Sequence, residues 1–181
     1  MTNSSINNNG NSPKVPKRRS AFEEHIGDHR KVFLFNFCAE RGSKTDIDFM
    51  EGLVDSDPKK FILCSTDPRH LVNSKNSKGQ SPLYLAAKNG NLLVVKYLER
   101  KNVNYSVSAF RISRFKLETP LEAACRWNHV EVVKFIVQKF EINDKELSKC
   151  LLTTRNQEIR NSLMENGARI KLPLLSRFFC K

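Results

Sequence analysis

The sequence lacks the features by which membrane, secreted and zinc-binding proteins are usually recognised. No apolar run approaches the roughly 18 residues that a membrane-spanning helix needs, and the first twenty residues contain no hydrophobic segment typical of a secretory signal. The five cysteines include no Cys-x-x-Cys pair. We therefore expect an intracellular protein with reduced, buried thiols and no metal.

Arrangements of residues typical of enzymes are missing as well. There is no Gly-rich phosphate-binding loop, the carboxylates are scattered, and no Cys–His pairing for nucleophilic attack is apparent. His25 and His29 stand four residues apart and share a face if that segment is helical, but no third ligand accompanies them. The sequence therefore predicts a non-catalytic protein without cofactor or substrate.

A repeat, by contrast, is clearly present. Residues 72–98 read VNSKNSKGQSPLYLAAKNGNLLVVKYL, and the pattern restarts 38 residues after Ser81, at Thr119. Thr119-Pro120-Leu121 matches Ser81-Pro82-Leu83, and residues 130–137 match residues 92–99. A unit of this size cannot bury its own apolar face and must stack on its neighbours. Stacked units form a surface for holding another molecule, which favours a binding protein.

Each residue of the unit has a local role. Gly79 suits a tight turn, Ser81 is predicted to cap a helix that begins at Pro82, and Gly90 is predicted to end it in a left-handed conformation. The apolar spacing then predicts a second helix with one buried face. The predicted core of the two units consists of Leu83, Ala86, Ala87, Val94, Val95, Leu98, Leu121, Ala124, Val132, Val133 and Ile136.

This unit resembles an ankyrin repeat, with its Gly-x-Thr-Pro-Leu-His segment, alanine pair, glycine and Val-Val helix. Four positions depart from that pattern: Asn76 for Asp, Tyr84 for His, Leu117 for the turn Gly, and Asn128 for the helix-ending Gly. Asn tolerates the left-handed conformation, whereas Leu does not, so we expect a remodelled turn before Thr119. The resemblance implies an all-α ankyrin-repeat solenoid of stacked helix-turn-helix units with short hairpin or loop fingers.

Two divergent units flank the clear repeats at about residues 72–103 and 114–142. Upstream, residues 35–42 and 47–54 resemble the two helices, with an insertion predicted around residues 55–70 because Gly42 and Gly90 are 48 residues apart against a usual period of about 33. Downstream, residues 146–153 and 158–168 form the last pair. The predicted ankyrin-repeat domain of about four units spans residues 28–168.

The two ends of the chain differ in character. Residues 1–27 are basic and rich in Asn and Ser, and we expect them to be disordered in isolation. They are expected to act as a nuclear import signal, a nucleic-acid arm, a solvated tail or a tail that threads along an acidic partner. Residues 169–181 are apolar and basic, and are expected either to cap the last repeat or to insert into a partner.

Positive charge concentrates in residues 96–116, which contain six Lys and Arg but one acid, Glu99. Residues 108–117 mix apolar and basic side chains, and the alternation at Phe110, Arg111 and Ile112 predicts an extended finger. An acidic protein surface is the simplest partner for it. RNA is the competing partner, and a third interpretation is that Phe110 and Phe115 only pack on the adjacent repeat.

The resemblance also implies which residues face a partner, since the turn tips and the residues after the alanine pair line the concave face in ankyrin repeats. Together with the finger, these are Lys78, Gln80, Lys88, Asn89, Arg111, Arg114, Phe115, Lys116, Glu118, Arg126 and Trp127. The weaker units add Glu40, Arg41, Thr153 and Thr154. Trp127, the only tryptophan, is either an interface anchor or a side chain folded over its neighbour.

The expected function is a protein–protein interaction module. We expect an adaptor or structural subunit of a larger intracellular assembly, in the cytoplasm or cytoskeleton, such as a cytoskeletal, ciliary or large organellar complex. It is expected to bind an acidic partner. A nuclear regulatory ankyrin protein and an RNA-contacting accessory subunit are the alternatives.

Overall fold

The computed structural model describes residues 21–56, 70–114 and 116–169. Within these ranges eight α-helices form four helix-turn-helix pairs, which confirms an all-α repeat solenoid. The pairs are α1 (Ala21–Arg41) with α2 (Lys44–Asp55), α3 (Pro82–Asn89) with α4 (Leu92–Arg100), α5 (Pro120–Arg126) with α6 (Val130–Lys139), and α7 (Asp144–Thr153) with α8 (Gln157–Glu165). No helix in these ranges has the length and apolar character needed to cross a membrane.

The helices form two layers. The first helices of the pairs pack side by side in the order α1, α3, α5, α7, and the second helices follow in the order α2, α4, α6, α8. Each of the two inner pairs is thereby sandwiched between its sequence neighbours, as expected for a stacked repeat. The core runs continuously between the layers.

The predicted core is confirmed, because all eleven of its side chains are at most 1% exposed. The prediction omitted Tyr97, which points inward from α4 and is 2% exposed. Burial raises the pKa of Tyr97 above its usual range. The first pair contributes Phe35, Ala39 and Met50 to the same core.

Polar side chains begin the first helices as predicted. Ser81 Oγ accepts a hydrogen bond from the backbone N–H of Tyr84 at 3.1 Å, and Pro82 occupies the first helical position. Thr119 does the same for the N–H of Glu122 at 3.2 Å. These bonds satisfy donors that have no partner within the helix.

The ends of the first helices are linked to the following repeat by polar side chains. Gly90 adopts a φ of +75°, and His129 Nε2 donates to the carbonyl of Lys88 at 2.9 Å beside it. A Cβ on Gly90 would lie only 2.5 Å from His129 Nδ1, so glycine provides both the left-handed turn and the space. Asn91 contacts the end of α1 in the same way, donating to the carbonyl of Ala39 at 2.9 Å.

The third link is a variation on the same arrangement. Asn128 replaces the glycine, keeps a positive φ of 63°, and accepts from Asn156 Nδ2 through its own side-chain oxygen at 2.7 Å. The expectation that Asn tolerates the left-handed conformation there is confirmed. The link differs because the Asn128 side chain occupies the space that a glycine leaves open.

The first helix is longer than predicted. The sequence pattern placed its start near Phe35, whereas α1 begins at Ala21, inside the segment assigned to the basic tail. The ankyrin pattern covers only the last turns of this helix, so it carried no signal for the earlier ones. The predicted insertion falls largely on residues 57–69, which lie outside the described residues, as do residues 1–20 and 170–181.

Candidate protein-binding surface

The predicted finger is a β-hairpin. Strands β1 (Phe110–Ser113) and β2 (Lys116–Glu118) pair antiparallel, with Arg111 opposite Leu117. This confirms both the extended conformation and the remodelled turn expected before Thr119. Side chains alternate along β2, so that Leu117 is exposed and Glu118 points inward.

Glu118 anchors the base of the hairpin. It is only 2% exposed; its Oε2 accepts from the hydroxyl of Tyr84 at 2.7 Å, and Arg126 Nη2 approaches its Oε1 at the same distance. Oε1 receives no well-aligned hydrogen bond, so charge attraction holds that contact. Glu118 therefore does not face outward as the family pattern implied. Because it is a buried carboxylate, it needs these partners to offset the loss of hydration.

Aromatic packing reinforces this anchor. The ring of Phe110 contacts that of Tyr84, with centroids 5.0 Å apart at 45°. Burial, together with the Glu118 carboxylate, raises the pKa of Tyr84, so its hydroxyl stays protonated and donates. Phe110 thus packs on the adjacent repeat. Phe115, predicted to contact a partner or to pack likewise, lies outside the described residues.

The tip of the hairpin is exposed and basic. Arg111, Arg114 and Lys116 are all at the surface, interleaved with Ile112 at 40% exposure and Leu117 at 52%. The tip combines cations with apolar side chains, which is the composition expected for a contact with an acidic, partly apolar protein surface.

Trp127 lies at the end of α5, next to the hairpin's anchor. It is 55% exposed, and the Lys88 ammonium stands 5.9 Å from the centre of its ring. This cation–π contact joins the ends of α3 and α5. The arrangement leaves more than half of the indole available to another molecule.

Arg126 sits between these two features. Its side chain is 42% exposed, yet its guanidinium is committed to Glu118. The hairpin and Trp127 are therefore tied together through this residue. Arg126 acts first as a positioning residue, which its sequence position alone did not indicate.

The remaining predicted contact residues divide by exposure. Lys78 and Asn89 are exposed, and Asn89 Nδ2 donates to the carbonyl of Glu40 at 3.2 Å, which connects the surface to the end of α1. Gln80 does not reach outward as expected. It is 9% exposed, and Asn76 Nδ2 donates to its Oε1 at 3.2 Å.

The predicted contact residues of the two outer units also divide into exposed and buried side chains. Glu40, Arg41 and Thr153 are exposed, whereas Thr154 is 5% exposed because its backbone and side chain shape the turn into α8. Thr154 therefore offers almost no surface to a partner.

A second buried carboxylate went unnoticed in the sequence. Glu146, 8% exposed, accepts from the hydroxyls of Tyr105 and Thr119 at 2.5 Å each. Burial and the adjacent carboxylate raise the pKa of Tyr105 well above its usual range. No sequence signal pointed to these two bonds, because Glu146, Tyr105 and Thr119 come from separate repeats and loops.

Little in the described ranges suits metal chemistry. No group of three or more His, Cys, Asp and Glu side chains comes together there. Cys38, Cys125 and Cys150 are buried free thiols. A hydrogen bond with Cys125, together with burial, raises the pKa of Cys150, which disfavours its thiolate.

Comparison with known proteins agrees with this architecture. A family model of ankyrin repeats, in three copies, matches residues 37–146, which is more than half of the 181 residues. A search of curated proteins finds no match. Ankyrin repeats generally mediate protein–protein interactions. With its three matched copies and four stacked helix pairs, this chain belongs to the ankyrin-repeat family.

Proposed function

We propose that this protein is a non-catalytic adaptor or structural subunit that binds an acidic surface of a protein partner. The observation that carries the proposal is the connection of a basic hairpin tip to an exposed tryptophan through one ion pair, Arg126–Glu118. Both features flank α5, since β2 leads into this helix and Trp127 follows it, so one partner can contact them together.

The charge of the tip supports an acidic partner. Arg111, Arg114 and Lys116 lie within six residues of one another, and the whole chain carries a net charge of +12. Clustered surface cations accelerate encounter with an acidic partner and disfavour basic ones. We therefore assign the hairpin tip to the association step.

The second contribution is the anchor. Trp127 offers a large, rigid apolar surface, and tryptophan dominates the energetics of many interfaces. Its neighbour Lys88 supplies a cation at the same place. We assign Trp127 to the lifetime of the complex.

Cellular placement follows as part of the proposal. We place the protein in an intracellular assembly, cytoplasmic or cytoskeletal, with a nuclear regulatory role as the alternative because of the basic segment at residues 14–19. An RNA-contacting accessory subunit is the second alternative, since cations with exposed apolar side chains at the hairpin tip also suit single-stranded nucleic acid.

Two variants test the proposal on the protein purified with its native assembly. Reversing Arg111, Arg114 and Lys116 to Glu should slow association and remove its salt dependence. Trp127→Ala should speed dissociation about tenfold or more while leaving the helical spectrum unchanged. Arg126 is unsuitable for this test, because its loss would strand the buried Glu118 carboxylate.

Matched controls separate site effects from general ones. Reversing three exposed cations elsewhere, Lys44, Lys139 and Lys145, changes net charge equally, and Leu152→Ala removes an exposed side chain on α7. Neither should alter binding. If both site variants co-purify with the assembly at wild-type levels, the proposal fails. Salt-sensitive binding of RNA in place of protein would favour the accessory-subunit alternative.

A further inference from the structure

The outer surface of α1 carries an aromatic pair that the repeat pattern does not require. Phe33 is 64% exposed and Phe37 44%, and their rings stack with centroids 6.2 Å apart at 14°. Two adjacent exposed phenylalanines are uncommon on a surface that stays in water, and mark an interaction site.

These rings border a groove of about 500 Å³ between α1 and the loop at residues 75–78. The apolar part of its lining consists of Val32 and Leu85 together with the two rings. A groove of this size and lining accommodates a large apolar side chain with its flanking backbone.

Below the groove lies an unsatisfied polar group. Asn36 is 3% exposed, and its Nδ2 donates to the carbonyl of Val32 at 2.8 Å. Its Oδ1 has no hydrogen-bond partner among the described residues. Because Oδ1 itself is buried, a ligand in the groove does not reach it, and Asn36 serves α1 through its bond to Val32.

The rim of the groove is mainly basic. Lys75 and Lys78 line one side, Arg30 flanks Phe33, and the Arg41 guanidinium stands 5.6 Å from the centre of the Phe37 ring. Glu40 is the one acid among the lining residues. The charge of the rim therefore complements an acidic ligand.

We propose that this groove binds an acidic protein segment that carries a large apolar side chain. The apolar side chain packs against Phe33 and Phe37, and the acids face Lys75 and Lys78. Beside the groove, Asn89 of α3 donates to the carbonyl of Glu40, and its chain neighbour Lys88 contacts Trp127. The inference relies on the proposed function only in taking the ligand to be an acidic protein.

Single-stranded nucleic acid fits these observations less well. Its bases stack on open aromatic faces, whereas here Arg41 already lies over the Phe37 ring. Glu40 would also repel phosphates. The apolar lining of the groove instead matches a large apolar side chain.

Two labelled peptides test the inference by fluorescence anisotropy on the full chain. One is a short run of Asp and Glu around a central pair of leucines, and the other has serines in place of the leucines. We expect the leucine peptide to bind about tenfold more tightly than the serine peptide. Phe33→Ser and Phe37→Ser should each remove most of that difference, whereas Leu152→Ser, at a side chain 69% exposed on α7, should not.

Four binding results would overturn it. These are no binding of the leucine peptide, equal affinity for both peptides, affinity for the leucine peptide unchanged by Phe33→Ser, and Phe33-dependent binding of an oligouridylate that is tighter than binding of the leucine peptide. Self-association that Phe33→Ser abolishes would assign the groove to a second copy of this chain and overturn it too. Thermal melts verify that each variant stays folded.

The hairpin variant separates this inference from the proposed function. Reversal of Arg111, Arg114 and Lys116 should leave the preference for the leucine peptide unchanged, because none of them lines the groove. If that reversal and Trp127→Ala both leave binding to the native assembly unchanged while the Phe33-dependent preference persists, the proposed function fails and the groove stands by itself.

Discussion

Two loops precede equivalent helices in this solenoid, and they are stabilised in opposite ways. In the Asn76 loop (residues 74–80), Asn76 Oδ1 accepts from the backbone N–H groups of Lys78 at 3.0 Å and Gln80 at 2.9 Å, and Gly79 has a φ of +79°. The hairpin at residues 110–118 depends on Glu118, whose partners come from α3 and α5. One loop is held by its own residues and the other by the stack.

The difference explains why the hairpin extends further. A loop that is held by hydrogen bonds from one of its side chains to its own backbone amides is limited to a few residues, because that side chain reaches only nearby amides. Anchoring through a buried carboxylate frees the tip from that limit, so it can carry Arg111, Ile112 and Arg114 at the surface. The hairpin's order consequently depends on the integrity of the repeats beneath it.

The largest expected effect comes from a variant that disrupts the stacked helices beneath both loops. Val95→Asp places an unpaired charge at a fully buried position of α4 and should cost about 4 kcal/mol or more. That is a large part of a typical margin of about 5–15 kcal/mol. Chemical denaturation followed by circular dichroism measures the loss. Leu93→Asp, on the same helix but 54% exposed, should cost about 1 kcal/mol or less. Equal stability of the two variants would show that the repeat register is wrong.

The next effect separates the two loops. Glu118→Ala leaves the Tyr84 hydroxyl without its acceptor and Arg126 without its partner, and should destabilise the protein by about 3 kcal/mol. Glu118→Gln keeps an acceptor and should cost about 1 kcal/mol. Hydrogen exchange should show hairpin amides exposed in the alanine variant. Asn76→Ala should instead expose only residues 74–80; hairpin exposure in that variant would contradict the comparison.

Two glycine substitutions have smaller effects, and they separate the stability cost of a strained backbone from the added cost of steric crowding. At Gly79 an added Cβ meets nothing within 4 Å, so Gly79→Ala should cost about 1 kcal/mol from its positive φ alone. Gly90→Ala adds a collision with the His129 ring and should cost about 2 kcal/mol. Thermal unfolding of the pair measures both; a smaller loss at Gly90 would mean that His129 moves aside easily.

The smallest effect is a dependence on alkaline pH. The pKa of Tyr84 is raised in the folded state, so above about pH 10 the unfolded chain releases this proton more readily and folding stability falls as pH rises. The slope approaches ~1.4 kcal/mol per pH unit for one such group. Tyr84→Phe should lower the slope by that amount in denaturation series above pH 10, leaving the contributions of Tyr97 and Tyr105. The amide groups that hold the Asn76 loop do not titrate. The pH dependence of hydrogen exchange in this loop should therefore be the same in wild type and in Tyr84→Phe.

Sequence reasoning succeeded where a few neighbouring residues decide the conformation. Ser81 and Thr119 cap their helices, Gly90 and Asn128 end them, and the eleven core positions are buried. It also predicted that the turn before Thr119 had to change, because Leu117 cannot replace glycine there. Each of these inferences used contacts within about four residues or the periodicity of one helix.

Sequence reasoning fell short at the binding surface, where distant residues meet. Glu118 was expected to face a partner and is buried, Gln80 closes the Asn76 loop, and Arg126 is paired. The aromatic pair on α1 was overlooked, since the family pattern covers only the end of that helix. Exposure of a side chain depends on which repeat packs against it, and the order of residues alone does not contain that information.

By itself the sequence determined the repeat, its register, the helix ends and the apolar stripe that forces stacking, because these follow from local backbone preferences and from hydrophobic periodicity. Only the tertiary structure decided which charges remain available to a partner and which are consumed within the stack. The reason is physical: a carboxylate such as Glu118 becomes a structural anchor only once Tyr84, 34 residues away, and Arg126, on the following helix, are brought within 2.7 Å of it.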